Sequence, residues 1–176
     1  MNTRKLYVIV ASVAILISSC TNEKSKINEE IGIAEETVFG DKGAIPDKQE
    51  VQKLLDLYSN YFTKFPEDTL NASHLFKAAE LNCYLQEYNK AIALYDTIPA
   101  TYPGFGKNAD CMFMKAYVYD AYLQRINKAR IIYTEFIEKY PTHEFADDAQ
   151  MALLYLGKSN EEILETILKN AEPTKE

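Results

Sequence analysis

Residues 128–149 read KARIIYTEFIEKYPTHEFADDA, and this stretch decides the fold. Ala129, Ile132, Tyr133, Phe136, Ile137 and Tyr140 recur at the i, i+3, i+4 spacing of a single buried helical stripe. Pro141 ends that helix, because proline lacks an amide proton and pushes the residue before it out of the helical region. Glu144, Asp147 and Asp148 then open a second helix, where the positive end of the macrodipole favours acids.

The same unit stands earlier in the chain. A shift of 38 residues lays Ala72–Pro103 on Asp110–Pro141 without a gap, and 11 of the 32 pairs are identical. They include Tyr84/Tyr122, Gln86/Gln124, Ala91/Ala129, Tyr95/Tyr133 and Tyr102-Pro103/Tyr140-Pro141. A partial third copy ends at Phe65-Pro66, with Tyr58 in the place of Tyr95. A period in this range marks an array of helix pairs, each unable to bury its apolar face alone.

The pattern predicts helices over Asp47–Phe65, Asn71–Tyr84, Glu87–Tyr102, Lys107–Leu123, Ile126–Tyr140, His143–Gly157 and Asn160–Ala171. Asp47 with Glu50, and Ser159 with Glu162, have the spacing of capping boxes. Short linkers make neighbouring helices antiparallel, and no stretch alternates with the period of a strand. The expected fold is all-α, with antiparallel helix pairs in about three repeats over residues 47–172. Lys107–Leu123 is apolar nearly all round, as a helix buried on several sides or as an aromatic binding wall.

The N-terminal stretch follows different rules. Residues 1–19 have a basic start at Arg4 and Lys5 and an apolar run over Leu6–Ile17, too short for the ~20 residues that a membrane span needs. The run ends in Ile17-Ser18-Ser19-Cys20, which resembles the bacterial lipobox. That resemblance implies a cleaved signal peptide over 1–19 and lipid on Cys20, palmitate among its acyl chains. Residues 20–46, with Gly32, Gly40, Gly43 and Pro46, are expected to form a flexible tether reaching roughly 28 Å from that anchor. Arg4 and Lys5 are the leader's only charges, so the net of −7 becomes −9 without it. So acidic a chain argues against nucleic acid as partner and against an electrostatic membrane patch.

The spacing of Ala91, Tyr95 and Pro103, and of Ala129, Tyr133 and Pro141, resembles the second helix of a tetratricopeptide repeat. The small residues Ala78, Ala79 and Ala116 fall near the family's small first-helix position, while Tyr117 stands where Gly or Ala is expected. Tyr133-x-x-Phe136-x-x-x-Tyr140-Pro141 followed by Phe145-Ala146-Asp147-Asp148-Ala149 is similar to two envelope groups. One is the lipoprotein of the β-barrel assembly machinery, and the other is the repeat domain of the Tol–Pal-associated coordinator. The resemblance implies a short right-handed superhelix and protein or peptide partners in the cell envelope. Thr21 after Cys20 is not the aspartate associated with inner-membrane retention, and Thr21–Lys26 lacks the acidic cluster that resembles a surface-export signal, so the expected place is the outer membrane, facing the periplasm. It also implies a concave face lined by Phe76, Glu80, Tyr84, Met114, Val118 and Tyr122. Tyr84 and Tyr122 fit either that groove or the core.

Catalytic and metal-binding patterns are absent from the sequence. His74 and His143 are the only histidines, no CxxC or HExxH occurs, and the glycines are isolated. Neither a metal, a cofactor nor an enzymatic activity is expected. Cys83 and Cys111 sit ten residues out of register between copies, ~15 Å along parallel helices, too far for the ~7 Å that a disulfide allows. Two functions remain open: a scaffold for protein partners, and an accessory protein that stacks envelope polysaccharide on its 13 tyrosines.

Overall fold

A computed structural model describes residues 22–40 and 45–171, and among these the chain is helical with no strand. The leader and Cys20 lie outside the described residues. The fold divides into two units, one running to Leu81 and the other from Asn82.

In the first unit, helix α1 (22–39) is followed by α2 (Lys48–Lys64) and by α3 (Leu70–Tyr84), whose last residues pass into the second unit. Asp47 caps α2, its Oδ1 accepting the amides of Gln49 at 2.8 Å and Glu50 at 3.3 Å. Helix α1 was expected as tether and is instead part of the packed fold. Ile27, Ile31, Ala34 and Val38 form one buried stripe along it. Its charged groups hold it antiparallel to α2: Glu23 pairs with Lys64, and Glu35 accepts the Tyr58 hydroxyl at 2.6 Å. Gly32 is tolerated inside the helix because it lies on the open side, where a Cβ would meet nothing within 4 Å. Its propensity cost of ~1 kcal/mol is offset by the buried stripe.

In the second unit, α4 (Tyr88–Thr101) and α5 (Asn108–Tyr117) lead into a π-helical turn, Val118–Tyr122, then α6 (Ile126–Lys139), α7 (Ala146–Tyr155) and α8 (Asn160–Ala171). Helix α5 packs on both α4 and α6, and α6 packs on α7. The core between them is built on Ala116, Ala129, Tyr133, Phe136 and Ala149. At α8 the capping box is complete: Ser159 N–H donates to Glu162 Oε2 at 2.7 Å, and Glu162 N–H donates to Ser159 Oγ at 3.2 Å.

The aromatic-proline junctions between helices are one structure used three times. Phe65, Tyr102 and Tyr140 each donate their amide four residues back, and the amides three and six residues on continue the chain of bonds to Asn71, Asn108 and Ala146. At the first two, the asparagine amide group closes the turn. Asn71 Nδ2 donates to the Phe65 carbonyl at 2.7 Å, and Asn108 Nδ2 donates to the Tyr102 and Pro103 carbonyls at 3.0 Å. The third turn has Ala146 in that place, and α7 starts at Ala146 and not at His143 because residues 140–146 are needed for the turn.

Equal turns expose an unequal helix. Gln86 and Gln124 end the first helix of each copy with positive φ, at 64° and 52°. From Asn71 to Gln86 is 15 positions, whereas from Asn108 to Gln124 is 16. The π-helical turn absorbs the extra residue: the Leu123 amide reaches back five residues to the Val118 carbonyl at 3.1 Å.

Candidate functional site

The inserted residue shifts the register between the copies, and with it the expected groove. Ahead of the π turn the structurally equivalent positions lie 37 apart, so Ala79 matches Ala116, and both are fully buried. The small first-helix position is therefore filled in both copies. Tyr117, read from the sequence as a departure from that pattern, instead matches Glu80, and both are exposed. Val118 matches Leu81 and lies in the core at 0 % exposure, while Phe76 is 6 % exposed. Neither lines an open surface, which corrects two of the six groove residues. Tyr84 and Met114 are half-buried, and Tyr122 is 44 % exposed.

The repeated tyrosines of the second helices are a separate class. Tyr58, Tyr95 and Tyr133 are each 1 % exposed, and burial pushes the Tyr58 and Tyr133 phenols far above their ordinary range. They are packing residues.

In the first unit, Gly32, Glu35, Glu36, Phe39, Lys77 and Glu80 line an open cleft of about 400 Å³. Lys77 donates to Glu35 across it at 2.8 Å. Burial alone would raise the Glu35 pKa, but the bonds from Lys77 and Tyr58 outweigh it and hold the carboxyl below its ordinary value. Glu80 belongs to this cleft.

In the second unit, the π turn builds an aromatic cluster. Tyr117 and Tyr122 stand five residues apart, which on a regular α-helix would put them ~140° from each other around the axis. The wider turn brings them together, with centroids 5.7 Å apart and rings at 90°. Tyr88, at the start of α4, stacks on Tyr122 at 4.7 Å and 10°. Tyr117 is 40 % exposed, so with Tyr122 it leaves aromatic surface open to solvent. Burial, with Tyr117 and Cys83 close by, raises the Tyr122 phenol. Asp120 lies half-buried inside the same turn, and burial raises its carboxyl above the ordinary value. Tyr88 and Tyr117 were not among the expected site residues; the count of residues between asparagine and glutamine was the signal for them.

Cys83 and Cys111 form no disulfide with each other. No cluster of three or more metal-ligating side chains occurs among the described residues, and no helix there is long and apolar enough to cross a membrane.

Against this geometry, a family model described as "Tetratricopeptide repeat" matches residues 75–104 and 110–143. These matches contain the second and third aromatic-proline junctions, Tyr102-Pro103 and Tyr140-Pro141. No curated protein matches the chain.

Proposed function

From a chain that carries two tetratricopeptide repeats, a scaffold for protein interaction, we propose a lipid-anchored scaffold in the cell envelope. It holds protein or peptide partners in outer-membrane protein assembly or envelope maintenance. The lipobox-like Ile17-Ser18-Ser19-Cys20 supports the anchor, and Thr21–Lys26, with no aspartate after Cys20 and no dense acidic cluster, supports the outer membrane and its periplasmic face. The observation that carries the binding role is the Tyr88–Tyr117–Tyr122 cluster, in which Tyr117 and Tyr122 are exposed. Amphipathic tyrosines of this kind are what protein interfaces enrich. The alternative, polysaccharide stacking, loses three of its tyrosines to the core at Tyr58, Tyr95 and Tyr133.

Two measurements test the reading. Cys20→Ala should move the protein from the detergent phase to the aqueous phase; unchanged partitioning removes the anchor. A photo-crosslinking amino acid at Tyr122 should capture discrete protein adducts in intact cells, and one at exposed Ile131 on α6 should capture few. Equal capture at both positions removes the assigned binding surface.

A further inference from the structure

We propose that α1 is an acid-released latch, docked on the α2–α3 pair at neutral pH and loosened when His74 takes up a proton. Two tyrosine–carboxylate clasps fasten it, and His74 sits between them. The Tyr58 ring stacks on His74 with centroids 4.9 Å apart, and its hydroxyl donates to Glu35 of α1 at 2.6 Å. The Tyr61 ring meets His74 edge-on, and its hydroxyl donates at 2.6 Å to Asp68, which pairs in turn with Lys24 of α1. Lys77, on the same helix as His74, adds a bond to Glu35 at 2.8 Å. Lys24 and Glu35 stand about three turns apart, so the two clasps hold α1 at separate points along its length.

A count of donors and acceptors shows why a proton disturbs this arrangement. A neutral imidazole has one N–H and one bare nitrogen, whereas the cation donates from both. Nδ1 of His74 is buried without a partner. The carboxylates behind the two tyrosines have no idle oxygen. Glu35 accepts from Tyr58 on Oε1 and from Lys77 on Oε2. Asp68 takes Tyr61 and Lys24 on Oδ2 and the Leu70 amide on Oδ1. A cationic His74 therefore leaves a buried donor unpaired or draws an oxygen away from a clasp, and either outcome loosens α1. The charged groups acting on the ring are Glu35 of α1, Asp68 of the α2–α3 turn and Lys77 of its own helix, while α2 faces it with the Tyr58 and Tyr61 rings. Burial lowers the His74 pKa and outweighs the two carboxylates, so the docked state favours the neutral ring. Undocking lets water reach the ring, and the hold on α1 is then complete above ~6.5 and weakens as pH falls below it. Burial works to raise Glu35 and Asp68, yet their lysine and tyrosine bonds hold both below their ordinary values, Asp68 at about 2. Both therefore stay charged at pH 5.5.

Hydrogen–deuterium exchange of the full-length protein in detergent, at pH 7.5 and 5.5, reads α1 directly once each rate is divided by that of an unstructured peptide at the same pH. A released His74 with the ordinary value of ~6.5 favours the open form by at most about tenfold at pH 5.5. Protection of the α1 amides should therefore fall about threefold to tenfold between the two conditions, while α5 and α6 keep theirs. His74→Phe keeps a ring between the tyrosines and takes no proton, so its α1 protection should change by less than about twofold. Should that variant lose protection in α5 and α6 at pH 7.5, His74→Gln repeats the comparison with an uncharged side chain. Unchanged α1 protection in the wild type overturns the latch. So does an equal fall in α5 and α6, which is loosening of the whole fold. An equal fall of α1 protection in the wild type and the folded variant assigns the effect to another group and overturns it as well.

Discussion

At the scale of single residues, the fold rests on a few polar groups placed inside apolar surroundings. His74 lies between Tyr58, stacked at 4.9 Å, and Tyr61, edge-on at 5.0 Å, and its buried Nδ1 has no hydrogen-bond partner. Burial lowers its pKa, so the ring is held neutral in the fold. A lowered folded-state pKa means stability is fully present above the ordinary histidine value of ~6.5 and is lost as pH falls below it. His74→Phe keeps the ring and removes the orphaned nitrogen. It should leave the melting temperature at pH 7 unchanged or higher, and should flatten its decline between pH 6.5 and 5. Asn71 is fully buried as well, and its Nδ2 donates to the Phe65 carbonyl at 2.7 Å. Asn71→Ala should destabilise by about 0.5–1.5 kcal/mol in urea denaturation, since the turn loses one side-chain bond while the Phe65 carbonyl keeps the Asp68 amide.

At the scale of elements, the sequence disclosed the repeats and concealed their offset. Apolar periodicity, the aromatic-proline stops and the Ser159–Glu162 pair placed the helices of residues 47–171 to within a few residues, because each signal is local. A single gapless shift of 38 then matched Gln86 with Gln124 but missed that Asn71 and Asn108 are 37 apart. That slip carried Val118 into the expected groove and Tyr117 out of it. Deleting Ala121, an exposed residue of the π turn, should return α5 to the length of α3. The deletion should preserve helicity and separate Tyr117 from Tyr122, so that protein crosslinking at Tyr122 falls while the circular dichroism spectrum does not change. Phe113 reports on the packing beneath: it contacts Phe145 at 4.6 Å, Phe136 at 5.6 Å and Tyr133 at 5.7 Å. Phe113→Ala should cost about 3–5 kcal/mol by calorimetry or denaturant titration.

At the scale of the molecule, the largest difference between sequence and structure is α1. Its glycine and polar residues read as linker, because a stripe of one apolar residue per turn is weak evidence until something lies opposite it. Tyr58, Lys64 and Lys77 lie opposite, each through its bond to α1. Ile31→Ala should therefore destabilise the protein by about 2–5 kcal/mol, as for any buried large aliphatic; a tether would lose less than about 0.5 kcal/mol. The helical backbone is in place by residue 22, two residues after Cys20. With lipid on Cys20, the stalk between bilayer and body is at most ~7 Å of extended chain. On the proposed anchor, a body that begins so close to the lipid would work as a fixture at the membrane surface, and whatever it holds would have to come to that plane.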